Sequence, residues 1–401
     1  MIPGLTDSHI HLTGSGEPTG SREFILPLLV ANGITTVRDM GGRIDFLNGL
    51  RSEIDSRKRL GPRIFLTGPY LDGDSPAFQP SIVVRNRAEA AAAVEELKAA
   101  GVDFIKVQSR LSREGYFAIA EECWVRKTRF VGHVPDAISA VEASMAGQAS
   151  IEHLTGVLLA TSKLEEELRR EQLAPGPPHE SPAAAIQRTQ AWQRKLLDSF
   201  SAQKAAALVQ EFARNRTWQV PTFPTLVHIG FLTPQMDLKD DPWEKYVPSG
   251  VRAIWDQGRR QQLENHGDAD FALRSEIIKR SLQITGMMNA AGVPIMAGTD
   301  AAAPNVFPGF SLHEDLFFLV QAGLTPMQAL QAATVRPAEF MGSEEQGSIL
   351  PGKRADLILL DANPLEDIRN TQRIRAVVLK GRLLNRGDLD DLLTGVRKFA
   401  Q

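Results

Sequence analysis

This 401-residue chain has a single cysteine, a small net charge and no long apolar run, and each of these features excludes a class of protein. The single cysteine, Cys123, cannot form an internal disulfide, and its helix-prone surroundings indicate a packed residue rather than a nucleophile. A formal net charge of -3 provides no basic surface for nucleic acid or for an anionic membrane. The longest apolar run, residues 24–31, contains Pro27 and is too short to cross a bilayer. We therefore expect neither nucleic acid nor a membrane as a partner.

What the sequence does contain is an alternation of short β-branched runs with Ala- and Glu-rich helical segments, in a chain that is 43% hydrophobic. Strand–helix–strand repeats with short links are typical of parallel strands joined by right-handed crossovers. The predicted strands are 7–11, 34–39, 62–67, 102–107, 129–133, 149–153, 218–223 and 293–300. Eight such strands with interleaved helices predict an α/β fold, a (β/α)8 TIM barrel over residues 1–345.

Two insertions interrupt the repeat, at about residues 155–215 and 230–270. The first is charged and helix-prone but is broken by the Pro- and Gly-rich stretch 174–178, which a helix cannot cross. Neither insertion has a core of its own, so we expect extended barrel loops that form a lid. From residue 346 to 401, short β segments joined by turns predict a small accessory β-sheet domain and a C-terminal tail.

Polar residues suited to metal binding recur where the predicted strands end. His9 and His11 stand at i and i+2, so they point to the same side of the first strand. The residues that share this strand-end position are His9, His11, Lys106, His133, His153 and Asp300. In a barrel the carboxyl ends of the strands meet at one mouth, where imidazoles and a carboxylate together favour a bound cation. Taken singly, each histidine could equally be packed or solvent-facing, and Asp300 could cap a turn.

Lys106 is the most informative of these residues, because a buried ammonium costs several kcal/mol unless it is neutralised, paired or modified. Beside metal-binding histidines, a neutral lysine can react with carbon dioxide to give a carbamate, an anion able to bridge two cations. The alternative is a lysine whose ammonium reaches the rim or pairs with a carboxylate.

Several longer motifs resemble those of one known family. They are Pro3-Gly4-Leu5-Thr6-Asp7-Ser8-His9-Ile10-His11, Gly33-Ile34-Thr35-Thr36-Val37-Arg38-Asp39, Ser150-Ile151-Glu152-His153, Gly298-Thr299-Asp300, and the stretches 322–326 and 347–357. Together they resemble the amidohydrolase superfamily, in particular its imidazolonepropionase-like and Xaa-Pro dipeptidase-like metal-dependent hydrolases. The resemblance extends over nearly the whole chain except the two insertions.

The resemblance implies a centre of two divalent metal ions, expected to be Zn2+, with a carboxylated Lys106. The ligand sets would be His9, His11, Lys106 and Asp300 for one ion, and Lys106, His133 and His153 for the other. A hydroxide bridging the ions would attack the substrate carbonyl, and Asp300 would carry its proton to the leaving amine. We therefore predict an enzyme, an amidohydrolase that cleaves an amide-type C–N bond in a small N-acyl amino acid or dipeptide-like substrate.

Three other functions remain open on the sequence alone. One is a mononuclear cyclic-amide hydrolase or deaminase, in which the lysine is not carboxylated. Another is a lactone or ester hydrolase. The third, from a different class, is a catalytically silent barrel that binds a ligand at its mouth.

Two departures from the family pattern bear on assembly and specificity. Relatives begin with several short strands that complete the small sheet, whereas this chain starts inside the Pro-Gly-Leu segment. We therefore expect an incomplete accessory sheet, whose open edges a missing N-terminal segment or a partner in a homo-oligomer would cover. The sequence as written has no signal peptide, so we expect a cytoplasmic protein unless a missing leader directs export. The loop 68–76 lacks the histidine of peptidase-like relatives, which weighs against dipeptide specificity.

Residues that contact the substrate are more weakly signalled. Arg38 and Arg110 lie near strand ends and can grip a substrate carboxylate, or can form structural ion pairs, for instance Arg38 with Asp39. The other candidates for the pocket or its support are Tyr70, Tyr116, His228 and His313. Each of these could equally pack in the core or face solvent.

Overall fold

Three β-sheets form the framework of the chain in the computed structural model, which describes residues 1–13, 20–236 and 241–401. Within those residues the strands are β1 (Ile2–Pro3), β2 (Leu5–Ile10), β3 (Ile34–Asp39), β4 (Arg63–Leu66), β5 (Tyr70–Asp72), β6 (Ser81–Val83), β7 (Ile105–Val107), β8 (Phe130–Gly132), β9 (Ser150–Glu152), β10 (Trp218–Val220), β11 (Leu357–Leu360), β12 (Ile374–Leu379) and β13 (Arg382–Leu384). Two sheets are parallel, with the orders β2-β3-β4 and β10-β9-β8-β7-β5-β6. The third is antiparallel, with the order β1-β11-β12-β13. The predicted α/β class with parallel sheets is confirmed.

Helices alternate with the parallel strands, and side-chain caps explain where several of them begin. The helices are α1 (Leu26–Ala31), α2 (Ile44–Asp55), α3 (Arg87–Ala99), α4 (Arg113–Val125), α5 (Ala140–Met145), α6 (Val157–Ala160), α7 (Glu165–Leu173), α8 (Pro182–Asp198), α9 (Ala202–Asn215), α10 (Phe223–Thr225), α11 (Ser249–Glu264), α12 (Asp268–Ala290), α13 (Phe310–Gln321), α14 (Pro326–Ala332), α15 (Val335–Met341) and α16 (Arg386–Phe399). Asn86, Ser112 and Ser139 accept hydrogen bonds from backbone N–H groups at the starts of α3, α4 and α5. The Pro- and Gly-rich stretch 174–178 separates α7 from α8, as predicted.

Backbone hydrogen bonds join the two parallel sheets on both sides. The N–H of Asp103, just before β7, donates to the carbonyl of Leu66 in β4 (2.8 Å). On the other side the segment 293–301 lies between β10 and β2. It donates to Gln219 of β10 (2.9 Å) and accepts from Ser8 of β2 (3.0 Å).

The predicted eighth strand, 293–300, is irregular in the structure. Ile295 forms a single parallel bridge with Gln219 rather than a continuous ladder. Pro294 has no N–H to donate, and Asp300 has a left-handed backbone conformation (φ 68°), so a regular strand cannot continue through the segment.

The antiparallel sheet includes the first residues of the chain, which the sequence analysis does not anticipate. β1 pairs with β11, with Ile2 opposite Ile358, and the N–H of Gly4 donates to the carbonyl of Asp356 (2.8 Å). The expectation that the C-terminal strands lack a partner is therefore wrong on this side of the sheet. Because only Gly4 separates β1 from β2, the chain passes directly from the antiparallel sheet into the parallel framework.

One continuous apolar core joins the accessory sheet to the parallel strands. Ile358 and Val377 from the antiparallel sheet are buried in the same cluster as Leu5 and Ile34 from the first parallel sheet. Among the described helices, none is both long enough and apolar enough to cross a membrane.

We expect Ile358→Ala to lower the free energy of unfolding by about 2–5 kcal/mol, because it leaves a cavity in this shared core. Chemical denaturation measures the change. Leu359, the next residue on the same strand, is 42% exposed and provides the matched control, Leu359→Ala, with an expected loss of less than about 1 kcal/mol. Equal losses in the two variants would contradict a core shared by the two sheets.

Candidate metal centre

Four imidazoles and one carboxylate converge at the carboxyl ends of the parallel strands. His9 lies in β2, and His133 and His153 directly follow β8 and β9. The ring centroids are 4.5 Å apart for His9 and His153, 5.0 Å for His133 and His153, and 5.4 Å for His9 and His11. One ring nitrogen each of His9 and His153 and one oxygen of Asp300 lie within 4.8 Å of one another. The structure thus brings together five of the six predicted strand-end residues.

Each of the four histidines has its Nδ1 atom hydrogen-bonded to a protein group. The partners of His9, His11, His133 and His153 are, in that order, the carboxylate of Glu152 (2.8 Å), the carbonyl of Gly41 (3.0 Å), the hydroxyl of Ser109 (2.8 Å) and the hydroxyl of Thr222 (2.6 Å). A carboxylate and a carbonyl only accept, so His9 and His11 donate from Nδ1 and keep a lone pair on Nε2. These bonds fix the orientation of the rings.

Asp300 presents one oxygen to two of these imidazoles. Its Oδ1 atom lies 3.0 Å from His11 Nε2 and 3.4 Å from His9 Nε2. The buried His9 Nε2 makes no hydrogen bond within the described residues. Two nitrogen lone pairs and an anionic oxygen at these distances repel one another unless a cation, either a proton on an imidazole or a metal ion, lies among them. The donor set therefore fits a divalent metal ion, for which imidazole and carboxylate are ordinary ligands.

Lys106, the sixth predicted residue, is buried in β7 close to these imidazoles. Burial lowers the pKa of Lys106 to about 8, against the opposing attraction of Glu152 and Asp300. Burial and then the charge of Lys106 lower the pKa of His133, which shows that the ammonium is near that ring. Gly132 allows β7 to approach closely, since a Cβ there would lie 2.2 Å from the Val107 carbonyl oxygen and 2.9 Å from Lys106 Cδ. A pKa of about 8 leaves part of the amine neutral near neutral pH.

A buried ion pair, which sequence reasoning missed, stands behind His9. The carboxylate of Glu152 accepts hydrogen bonds from the Arg38 guanidinium (2.9 and 3.0 Å) and from the Ser150 hydroxyl (2.5 Å), and both charged side chains are fully buried. Burial raises the pKa of Glu152, but Arg38 and His9 outweigh it and hold the carboxyl ionised. The sequence signal that could have revealed this pair is the presence of one basic and one acidic residue, Arg38 and Glu152, in strands that are otherwise predicted to be buried.

Two further buried carboxylates, also missed, hold the segment that carries Asp300. Asp7 accepts hydrogen bonds from the N–H and the hydroxyl of Thr299 (3.1 and 2.6 Å). Asp315, on α13, accepts from the N–H of Gly298 (3.2 Å). Burial raises the pKa of Asp7 to about 7, against the hydrogen bonds from Thr299 that lower it. Backbone donors thus fix the irregular segment in place of a strand ladder.

Two of the residues predicted to contact substrate are Tyr70, at the start of β5, and Arg110, in the loop after β7. The Tyr70 hydroxyl is 3.4 Å from His11 Nδ1, and the two rings are 6.1 Å apart. Arg110 is exposed after β7, and its guanidinium donates to the carbonyl of Ser75. Both remain predictions as substrate contacts.

The other four are buried and bonded to protein groups. The partners are Glu152 for Arg38, Gln148 for Tyr116 (2.8 Å), Glu314 for His228 (2.9 Å), and Thr371 and Asn32 for His313 (3.0 and 3.2 Å). The polar atoms of Arg38, Tyr116 and His313 are engaged inside the protein, which favours the structural alternative for each of them over substrate contact. Arg38 does form a structural ion pair, but with Glu152 rather than Asp39. The role of His228 as a substrate contact remains a prediction.

We expect Glu152→Gln to weaken both the fold and metal binding, because it leaves the Arg38 guanidinium buried without a countercharge. Removal of one member of a buried ion pair costs about 3–5 kcal/mol, and removal of the group behind a metal ligand lowers affinity roughly 10–100-fold. Denaturant unfolding and a zinc titration measure the two effects.

The matched control is Glu339→Gln, which breaks exposed ion pairs with Arg216 and Arg336, each worth at most about 1 kcal/mol. Wild-type stability and zinc affinity in Glu152→Gln would show that the buried pair does not support the centre.

Characterised proteins match this chain over short stretches. A 102-residue stretch is 40% identical to ochratoxinase from Aspergillus niger, and covers 24% of this chain and 20% of that protein. The match thus spans about a fifth of that relative's length.

Solved structures match over nearly the whole chain. Bottromycin amidohydrolase superposes with a TM-score of 0.79 at 22% identity, covering 99% of this chain and 80% of that one. A Xaa-Pro dipeptidase with methionine bound in its active site superposes with a TM-score of 0.61 at 20% identity, covering 96% of this chain and 86% of that one. At these identities the likeness shows a common fold.

A model of the amidohydrolase family matches residues 1–169 and 258–384, well over half of the chain. The six strand-end residues all lie within the matched ranges. The family predicted from the motifs is confirmed, and the chain belongs to the amidohydrolase family.

Proposed function

We propose that this chain is a metal-dependent hydrolase that cleaves an amide-type C–N bond in a small N-acyl amino acid or dipeptide-like substrate. The observation that carries the proposal is the convergence of His9 Nε2 and His11 Nε2 on one oxygen of Asp300, beside His153. Membership of the amidohydrolase family supports it. So do the activities of two structural relatives, an amidohydrolase and a dipeptidase.

The proposal includes a closed (β/α)8 barrel. Its support is the hydrogen bonding that links the two parallel sheets, at Asp103 on one side and through the segment 293–301 on the other. Closure would gather all the strand ends at a single mouth, in agreement with the positions of the histidines.

We assign the ligands to two ions in the sets that the family resemblance implies. They are His9, His11, carboxylated Lys106 and Asp300 for one ion, and Lys106, His133 and His153 for the other. When bound, the divalent ions, zinc by ligand preference, supply polarisation of the scissile carbonyl and an acidic water near neutral pH. The neutral amine of Lys106 takes up carbon dioxide by forming an N–C bond and releasing one proton, which gives the carbamate.

Asp300 is the residue that we assign to proton transfer. Burial raises the pKa of Asp300, but the facing imidazoles of His153, His11 and His9 hold it well below its usual range. The carboxylate is therefore ionised, which is the form that a metal ligand or a proton acceptor needs. Its side chain is 15% exposed, so it reaches the mouth where the substrate enters. The same proton would pass to the leaving nitrogen as the C–N bond breaks.

A mononuclear cyclic-amide hydrolase or deaminase is the second candidate. The compact group of His9, His153 and Asp300 favours it, because three ligand atoms within 4.8 Å of one another could hold one ion without Lys106. The number of bound metal ions separates the two candidates.

We expect Lys106→Met to reduce bound zinc from two ions per chain to one or none, because the variant cannot form the bridging carbamate. Elemental analysis after zinc loading and desalting gives the count. The matched control is Lys98→Met, which removes an exposed lysine on α3. One ion per chain in the wild type, unchanged in Lys106→Met, would favour the mononuclear candidate.

Asp300→Asn is expected to lower kcat at least roughly 100-fold while the fold is kept, since an amide cannot accept and return the proton. Hydrolysis of N-acyl amino acids, dipeptides and lactones is measured in parallel, with the exposed Asp198→Asn as control. Hydrolysis of lactones alone would support an ester hydrolase. Turnover of no substrate would support a silent binding barrel, and turnover insensitive to Asp300→Asn would contradict the assigned proton transfer.

A further inference from the structure

A cavity of about 240 Å³ adjoins the candidate metal centre. Its lining includes His153 and Ser109, the hydrogen-bond partner of His133. It also includes Trp192 and Leu196 of α8, which belong to the first insertion. A molecule in this cavity would therefore lie next to the reacting groups.

The walls of this cavity are mainly apolar, and the polar residues at its rim bond to protein groups. Apolar side chains include Leu154, Val157, Phe231, Ile277 and Ile284. The rim residues are Arg169, Gln172 and Asp136: Arg169 donates to the Asp136 carbonyl (3.1 Å) and Gln172 to the Asp136 carboxylate (2.8 Å). A polar ligand group would have to displace these bonds, whereas an apolar group would gain from burial.

The size of the cavity suits a bulky group. An engineered apolar cavity of about 150 Å³ already binds benzene. A cavity of about 240 Å³ can therefore take a phenyl ring or a branched aliphatic chain with room to spare.

Part of the wall lies outside the residues that the family model matches. Trp192, Leu196 and Phe231 fall in the unmatched range 170–257, whereas His153 lies in the matched range. The cavity wall thus combines a residue within the family's matched range, beside the candidate metal centre, with residues from the insertions of this chain. This arrangement is expected where family members share one reaction but differ in the substrates that they accept.

We infer that this cavity binds an aromatic or branched aliphatic group of the substrate and so selects amides that carry a bulky apolar substituent. The inference rests on the proposed function, because it places the scissile amide next to this substituent, beside His153. A pocket of this kind discriminates by roughly 10-fold or more in kcat/KM for a change of one or two methylene groups.

The test uses Ser281→Phe, because Ser281 lines the cavity from α12 and a phenyl ring there would occupy its volume. Two substrate series are compared, the N-acetyl derivatives of alanine, leucine and phenylalanine, and alanine acylated with acetyl, hexanoyl or benzoyl groups. We expect the wild type to prefer the bulky members of at least one series, and Ser281→Phe to lower that ratio of kcat/KM about 10-fold. The matched control is Ser275→Phe, the same change on the same helix away from the cavity.

A binding measurement separates this inference from the proposed function. N-benzoyl-phenylalanine is titrated calorimetrically into Asp300→Asn with and without Ser281→Phe. Binding that is lost with the second substitution supports the inference even if no amide is hydrolysed. The inference would be overturned if neither series showed a preference for bulky substrates, or if Ser281→Phe did not weaken binding. In either case, hydrolysis that is sensitive to Asp300→Asn would still support the proposed function.

If Ser281→Phe does not fold, Trp192→Leu tests the same wall from α8. It enlarges the cavity, so the preferred substituent is expected to shift to a larger one by several-fold in kcat/KM. An unchanged order of preference would overturn the inference.

Discussion

The carboxylate of Glu152 bonds at once to three strands of the parallel framework, to β2 through His9, to β3 through Arg38 and to β9 through Ser150. Both members of the ion pair are fully buried, and a buried charge without its partner costs several kcal/mol. The Arg38 guanidinium also lies 5.1 Å from the centre of the Phe340 ring. The strand register that satisfies these bonds is therefore the register that places His9 at the mouth of the framework.

The same interaction sets the chemical character of the centre. Of the four imidazoles, His9 has an ionised partner, whereas the other three bond to a carbonyl or a hydroxyl. An ionised acceptor makes its imidazole the more basic ligand. Glu152 also attracts the Lys106 ammonium and opposes the burial that lowers the pKa of that group. The Glu152 carboxylate thus orients His9 and limits how far the pKa of Lys106 is lowered.

The six strand-end residues could be predicted because each occupies a repeating position, and four of them lie in the family motifs. Glu152 lies in a motif too, but its partner Arg38 is 114 residues away in the chain, so the pairing depends on sheet register rather than on local pattern. For this reason the sequence left open whether Arg38 binds substrate or forms a structural ion pair, and it did not identify Glu152 as the partner. The irregular path of the segment 293–300 likewise depends on Asp315, a carboxylate supplied by a later helix.

The chemistry and the shape of the site come from different parts of the fold. The candidate ligands stand on the parallel strands, directly after them or on the segment 293–301, whose positions are fixed by the buried core and by buried carboxylates such as Glu152. The α8 helix instead packs through Leu196 onto Leu159 and Leu168 and through Leu197 onto Leu273 and Ile277, in two small clusters separate from the main core. A change in α8 therefore disturbs none of the bonds that orient the imidazoles. Because the two sets of interactions are separate, substitutions in the insertion can alter the cavity wall while the positions of the strand-end residues stay the same.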